Sequence, residues 1–489
     1  MKRGAEYGVR GARAKIDLFF PHPAPRTPRL LLAFIFLLLL AAVPARAAVF
    51  HPKTFTLANG LQFVVVQNRL SPAIAQMVWY KVGSADEAPG ASGLAHYLEH
   101  LMFRGTEAIP AGAFSPLIAA QGGNDNAFTS YDYTAFHEVV ASDRLAMIMQ
   151  MEADRMQNLR ITPETATPEL SVVLDERQER TDNNPQGKFE ERLGQVLFPG
   201  HPYGIPVIGW KAEMEKMTPE AAAAFYRHHY APDNAVVVIS GNVDMAEVMR
   251  LAAGTFGRVP KRDVSPRRVF LALKPPRETR VVMVDARVQQ PHLEIHIVGP
   301  SRATEKDHES YAFEVLSEAL AGGEVGVLYK QLVMKQQVAG SLDISYDPDA
   351  RGPAPFVFIA TPQAGRTIDE LEKALNESLH HLARKGLSAV DVNAAKKRLR
   401  RSAVFARDSL LAPGYVFGSA LTTGQKVADV EDWPERIKAV TAAEVNAALR
   451  RLVASKYRVT GLLLPDPNAT PEERAKAQNT APSHEMGIR

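Results

Sequence analysis

Two histidines and a glutamate in Ser92-Gly-Leu-Ala-His96-Tyr-Leu-Glu99-His100-Leu-Met-Phe103 have spacings that could do chemistry. On a helix, His96 and His100 stack on one face with Glu99 beside them. At about 100° per residue, Leu94, Leu98 and Leu101 gather on the opposite face. One face can bury while the other presents two imidazoles and a carboxylate. That set suits zinc-dependent hydrolysis, which needs neutral nitrogen ligands on a rigid element and a base near the activated water. Ser92 reads as the N-cap of this helix. Taken alone, the same residues also fit an amphipathic helix with surface histidines.

A third protein ligand is required if zinc is to keep one open position. Thr167-Pro168 reads as a helix start, a capping residue followed by proline. The helix continues through Glu169 and Glu176, which are seven residues apart and share a face. Glu176, 76 residues beyond His100, is the chosen third ligand, and Glu169 could brace a ligand from behind. From composition alone, Glu169, Asp175, Glu176 and Glu179 equally suit a solvated helix face.

The chain of 489 residues is too long for one core. It contains no cysteine, which excludes disulfides, thiolate ligands, a cysteine nucleophile and lipid attachment at a cysteine. Any zinc must be held by His, Asp or Glu. The net charge is +3, but residues 1–47 carry eight Lys/Arg and two acids, so the remainder carries −3. That balance argues against a nucleic-acid partner. Residues 1–47 read as an export signal: Arg26 and Arg29, the apolar run Leu30 to Val43, then Ala45-Arg46-Ala47 as a cleavage site. The expected location is the periplasm, with a secreted product or an uncleaved membrane anchor as alternatives. The basic stretch before Arg26 is long for a signal, which leaves a start downstream of Met1 open.

Along the chain, strands are expected at Phe55–Ala58, Leu61–Gln67, Ala73–Val82 and the later part of 124–136. A helix is expected at Pro116–Ala120, with Ser115 as its cap, and others at Ser142–Gln157, Met217–His228 and Met245–Phe256. Ala235–Ser240 reads as a strand. Val259–Arg268 is basic and contains proline, the best linker. Beyond it the order repeats. Strands at Arg280–Val284, Leu293–Val298 and Arg458–Leu464 accompany helices at Asp307–Ala321, Thr367–Lys385, Ala389–Ala406 and Thr441–Ala454. Phe313 and Asn393 are 80 residues apart, as are His96 and Glu176. Phe313 and Ser317 stand where the histidines would. The expected fold is α+β: two homologous domains, 48–262 and 270–466, each a mixed, mainly antiparallel sheet packed with helices, a duplicated half-clamshell. Residues 467–489 read as a polar, disordered tail.

The motif His96-x-x-Glu99-His100 with Glu176 resembles the pitrilysin/insulinase family of zinc peptidases, the inverted zincins. The likeness extends through Gly93 to Thr106, Gly122 to Thr129 with Asp132 and Thr134, Glu169 to Glu176, His201-Pro-Tyr203, and Tyr230 to Asn234. It fits the two-domain bacterial and mitochondrial-processing type. It implies one Zn2+ per chain held by His96, His100 and Glu176, with Glu99 as general base and Glu169 supporting the site. Asn126 and Ala127 would lie on a strand edge that pairs with an extended peptide. The second half departs from the family. Val327 replaces an expected Arg, and Val333 and Gly340 stand where relatives place a substrate-orienting Arg and Tyr. The missing pair points to a heterodimer with a homologous silent subunit, a homodimer being the alternative. A non-enzymatic scaffold or silent partner is the rival reading of the chain itself.

His292, Glu294 and His296 alternate on one strand face; a metal there is one reading, a solvated sheet face the favoured one. His228-His229 and His380-His381 read as helix-end or surface residues. No Gly-rich phosphate loop or Ser nucleophile elbow appears.

Overall fold

The computed structural model describes residues 49–262, 264–268, 270, 278–305 and 308–470. The expected export signal and most of the expected tail fall outside them. No helix among the described residues is long and apolar enough to cross a membrane.

Two mixed sheets packed with helices make up the chain. The first has six strands: β1 (Lys53–Thr56), β2 (Gln62–Gln67), β3 (Ala73–Tyr80), β4 (Asn124–Thr129), β5 (Thr134–Ala141) and β6 (Ala235–Gly241). Their spatial order is β1-β2-β6-β3-β5-β4. Only β2 and β6 run parallel. The second sheet comprises β7 (Thr279–Asp285), β8 (His292–Gly299), β9 (Ala339–Tyr346), β10 (Ala354–Pro362) and β11 (Arg458–Pro465). Its order β7-β11-β8-β10-β9 repeats the first without an equivalent of β1, and only β7 and β11 run parallel. The stretch 124–136, expected to hold one strand, is instead a hairpin: β4 and the start of β5 pair antiparallel around Ser130–Tyr133.

Among the helices that position the site or cover the two sheets are α1 (Leu94–Leu101), α2 (Leu145–Asn158), α3 (Pro163–Arg177), α4 (Pro185–Leu197), α5 (Glu309–Ala321), α6 (Ala389–Phe405) and α7 (Ala412–Thr422). Three expected helix starts are corrected. Gly93, not Ser92, occupies the N-cap of α1. Ser115 lies inside its helix, which begins at Phe114, and its hydroxyl donates to Asp125. Helix α3 starts at Pro163 behind an extended Thr162, so Pro168 lies inside it. This stretch offers Thr-Pro twice, at 162–163 and 167–168. The earlier pair wins because a proline in the sixth helical position removes one backbone donor without stopping the turns before it.

Period-2 alternation gives the first sheet two apolar faces. Phe63, Val65, Val78 and Tyr80 face a core shared with α1 and α2. Val64, Val66, Met77 and Trp79 face the other way, and their cover comes from the second half: Phe417, Ala420 and Leu421 of α7. The exchange is reciprocal. Leu293, Ile295 and Ile297 face the second half's own helices. The opposite face of that sheet is covered by Phe189, Leu193 and Leu197 of α4, from the first half, each at most 2% exposed. Burying side chains of this size contributes about 1.5–3 kcal/mol each. Neither half completes its own second layer.

Close approach makes glycine necessary on both sides of the exchange. A Cβ on Gly418 of α7 would overlap the Trp79 ring, and one on Gly461 of β11 would lie 2.6 Å from Phe189. In an open helix, Gly→Ala stabilises by about 1 kcal/mol. At Gly418 the sign reverses, because the added methyl overpacks the layer. We expect Gly418→Ala to destabilise by about 1–3 kcal/mol, read as a lowered urea midpoint. Tryptophan fluorescence and far-ultraviolet circular dichroism should report one shared transition. A gain in stability would contradict this packing.

Candidate metal centre and substrate cleft

Glu87 fixes the start of α1. Its carboxyl accepts the N–H groups of Gly93 (3.0 Å) and Ala95 (2.8 Å), the second being a donor that a Ser92 cap would have served. Burial pushes the Glu87 carboxyl up to about 8 against the pull of those donors. The Ser92 hydroxyl instead accepts the Trp210 N–H. Gly93 has φ +88°, and a side chain there would strike the Ile208 carbonyl, so glycine lets the 208–209 loop close over the helix start. Leu94, Leu98 and Leu101 are buried as their spacing requires.

Helix α3 lies alongside. The Tyr97 hydroxyl donates to the Ala166 carbonyl at 2.6 Å. One turn along each helix, His100 Nδ1 meets Glu169 Oε1 at 2.8 Å. Arg104 pairs with the same carboxylate. Two turns beyond Glu169, Glu176 Oε2 lies 3.2 Å from His100 Nε2 and 3.8 Å from His96 Nε2. Donor atoms of His96, His100 and Glu176 all lie within 4.8 Å of one another, the only such group among the described residues. Buried Arg177 anchors this end of α3, donating to the Gly209 carbonyl (2.6 Å) and to Glu191 (2.9 Å).

The electrostatics divide by residue. Burial lowers His96 to about 4, more than Glu176 raises it, so this imidazole is neutral at pH 7. Burial also works against a charged His100, but its hydrogen bonds to Glu169 and Glu176 outweigh burial and raise it to about 9. Burial favours the neutral forms of Glu169 and Glu176. Glu169 is nevertheless held low by His100 and Arg104, and Glu176 by His100, His96 and Arg180. The site therefore attracts positive charge to a point between two imidazoles and a carboxylate. A His2Glu set with both Nε2 atoms turned toward one carboxylate fits zinc, which would replace the proton that His100 otherwise favours.

Glu99 is 9% exposed beside this set. Burial raises it to about 6, opposed by the hydrogen bond from Thr129 Oγ1 to Glu99 Oε2 at 2.6 Å. Thr129 ends β4, one of the two edge strands of its sheet. A cleft of roughly 1360 Å³ runs between that strand and the helices; Asn126, Ala127, Phe128 and Val172 line it with the metal-set residues. The Ala127 N–H is already taken by its neighbour's Asn126 Oδ1 at 2.9 Å, so an arriving strand must displace that side chain to use this donor. Sequence reasoning missed the cap at Glu87, which no spacing rule signals, and the partnership of Thr129 with Glu99. Alternation along β4 puts Ala127 and Thr129 on one face and could have found the second.

The second histidine face forms no three-donor cluster among the described residues, and it is not a solvated surface. Glu294 uses one oxygen for His292 (2.8 Å) and the other for His296 (2.7 Å), and Gln186 of α4 donates to it at 2.9 Å. The three do not converge as a ligand set, and α4 covers the face, so it is not solvated. In the second half, Phe313 and Ser317 lie on α5, Asn393 on α6 and Gly340 on β9; none forms part of a metal-ligating cluster among the described residues.

The fold and site define a two-domain metallopeptidase architecture. Residues 63–210 match the model of insulinase (peptidase family M16), and residues 216–399 match the peptidase M16 inactive domain. An uncharacterized zinc protease of Mycobacterium tuberculosis is 30% identical over 418 residues, covering 84% of this chain and 93% of that protein. A protease from Helicobacter pylori superposes with a TM-score of 0.78 at 25% identity, covering 85% of this chain and 99% of that one. The periplasmic protease PqqL from Escherichia coli matches with a TM-score of 0.73 at 16% identity, covering 88% of this chain but 50% of its own. The chain belongs to the M16, or insulinase, peptidase family.

Glu169 bonds to His100 but is not one of the three clustered donors. We expect Glu169→Gln to weaken zinc retention about 10- to 100-fold in a chelator competition while the fold persists. Unchanged retention would remove Glu169 from the site's support.

Proposed function

We propose that this protein is an exported zinc endopeptidase that cuts peptides or unfolded segments held as an added strand on β4. The observation that carries the reading is the buried Glu99 carboxylate, set between the three-donor cluster and the end of an outermost strand in one cleft. Bound zinc would supply Lewis-acid polarisation of the scissile carbonyl and of water. The remaining work falls to the chain's own residues. Glu99 takes a proton from the attacking water and delivers it to the leaving nitrogen as the C–N bond breaks and the C–O bond forms. Its position near 6 suits both transfers, since a group titrating close to neutral pH can accept and return a proton. The edge of β4 holds the peptide by its backbone, with little demand on its side chains.

Residues 1–47 serve as the export signal in this reading, with mature protein starting at Ala48 in the periplasm. A homologous silent subunit is the proposed partner. Two observations support it: Val333 and Gly340 stand where a substrate-orienting Arg and Tyr are expected, and PqqL, with the same fold, is twice the length that this chain covers.

Glu99→Gln tests the proposal. The variant should bind zinc as the parent does and lose hydrolysis of an internally quenched peptide by at least about 100-fold. Cleavage at the parental rate would overturn the assignment of the base. Native mass spectrometry of the assembly from its source should show a second, homologous chain; a homodimer or monomer that cleaves peptides would overturn the heterodimer.

A further inference from the structure

Strand β4 has two faces, and they belong to different halves of the molecule. Thr129, on one face, donates to Glu99. Phe128, on the other, stacks on Tyr415 of α7 with ring centroids 5.5 Å apart and planes 21° apart. Trp79 packs edge-on against Phe128 at 5.3 Å, against Tyr133 at 4.9 Å and against Tyr415 at 6.4 Å. His137, the cross-strand neighbour of Asn126, has its ring 6.2 Å from Tyr415. A Cβ on Gly414 would overlap Met77 Sδ, so α7 sits in direct contact with the sheet on this turn as well as at Gly418.

The hairpin that follows β4 is held from the same side of the chain. The Arg351 N–H donates to Asp132 Oδ2 at 3.0 Å, and Arg267 Nη2 donates to the Asp132 carbonyl at 2.6 Å. The Gly352 N–H donates to the Tyr203 hydroxyl, which in turn donates to Asp132. Strand β4 therefore bonds to only one strand, β5; first-half side chains reach it at Asp125 (Ser115) and Thr129 (Glu99), while the face that carries Phe128 rests on Tyr415 of the second half.

We infer that Tyr415 is a positioning residue for hydrolysis: the half without metal ligands sets the height of β4, and through Thr129 the placement of Glu99. The physical reason is the pleat. Successive residues point to opposite faces, so a strand that sinks toward α7 at Phe128 pulls Thr129 away from Glu99. The Thr129 bond fixes Glu99 Oε2 and leaves Oε1 to exchange the proton. A displacement of about 1 Å can cost on the order of 100-fold in rate. The inference rests on the peptidase function proposed for the chain.

The test is steady-state hydrolysis of one internally quenched peptide by the full chain. The parent must first cleave it; an inactive parent loaded with zinc would sink the peptidase reading, not this one. Tyr415→Ala should lower kcat about 10- to 100-fold with zinc content and near-ultraviolet circular dichroism retained. Tyr415→Phe, which keeps the stacked ring, should stay within about twofold of the parent. Thr129→Val should lower kcat similarly, and Thr129→Ser should restore it. Because both act on Glu99, the loss in Tyr415→Ala/Thr129→Val should fall short of the product of the single losses. If Tyr415→Ala does not fold, Tyr415→Leu, which keeps the apolar bulk, takes its place in the cycle. A folded Tyr415 variant with parental kcat, or losses that simply multiply, would overturn the inference.

Discussion

Two helices must hold three donor atoms within 4.8 Å of one another, and neither can do so alone. Helix α1 supplies both imidazoles because a spacing of four residues stacks them. Helix α3 supplies the carboxylate. Everything around them fixes the angle and depth at which the helices meet: Tyr97 on Ala166, His100 on Glu169, Glu87 at the start of α1 and Arg177 near the end of α3. The charge pattern comes from the same arrangement. A neutral imidazole, a second imidazole that prefers a proton, and two low-lying carboxylates form a pocket for a cation in a site closed to most of the solvent.

The same constraint explains why a second half without metal ligands is needed. A sheet with two apolar faces must be covered on both. The first sheet takes its second layer from α7, and the second sheet takes its own from α4. That exchange makes the halves one cooperative body and places aromatic rings of one half beneath an edge strand of the other. Duplication of the architecture without a second three-donor cluster among the described residues is then no contradiction: the second half supplies layers to the first.

Much of this is legible in the residues. Continuous apolar runs mark β2 and β6, alternation marks β3 and β8, and the seven-residue spacing of Glu169 and Glu176 puts both on the site side of α3. What is not legible depends on distant partners. Helix α7 contains Pro413, Gly414 and Gly418, poor helix formers, and the places of the two glycines are set by Met77 and Trp79, more than 300 residues earlier. Helix α4 carries Gly187 and Gly194, and its apolar stripe of Phe189, Leu193 and Leu197 looks like any self-covering helix until the other sheet is seen. The cap at Glu87 sits seven residues before Leu94, beyond the reach of local capping rules. The His292–Glu294–His296 face escapes local rules for the same reason: nothing within β8 signals that α4 lies over it.

The proposed chemistry stands on one cation held by His96, His100 and Glu176 and nowhere else. Anomalous diffraction at the zinc absorption edge, from crystals of the zinc-loaded protein, tests this most directly. One strong peak is expected, bounded by the two Nε2 atoms and the Glu176 carboxylate. A peak at His292 and His296 instead, or none between α1 and α3, would contradict it.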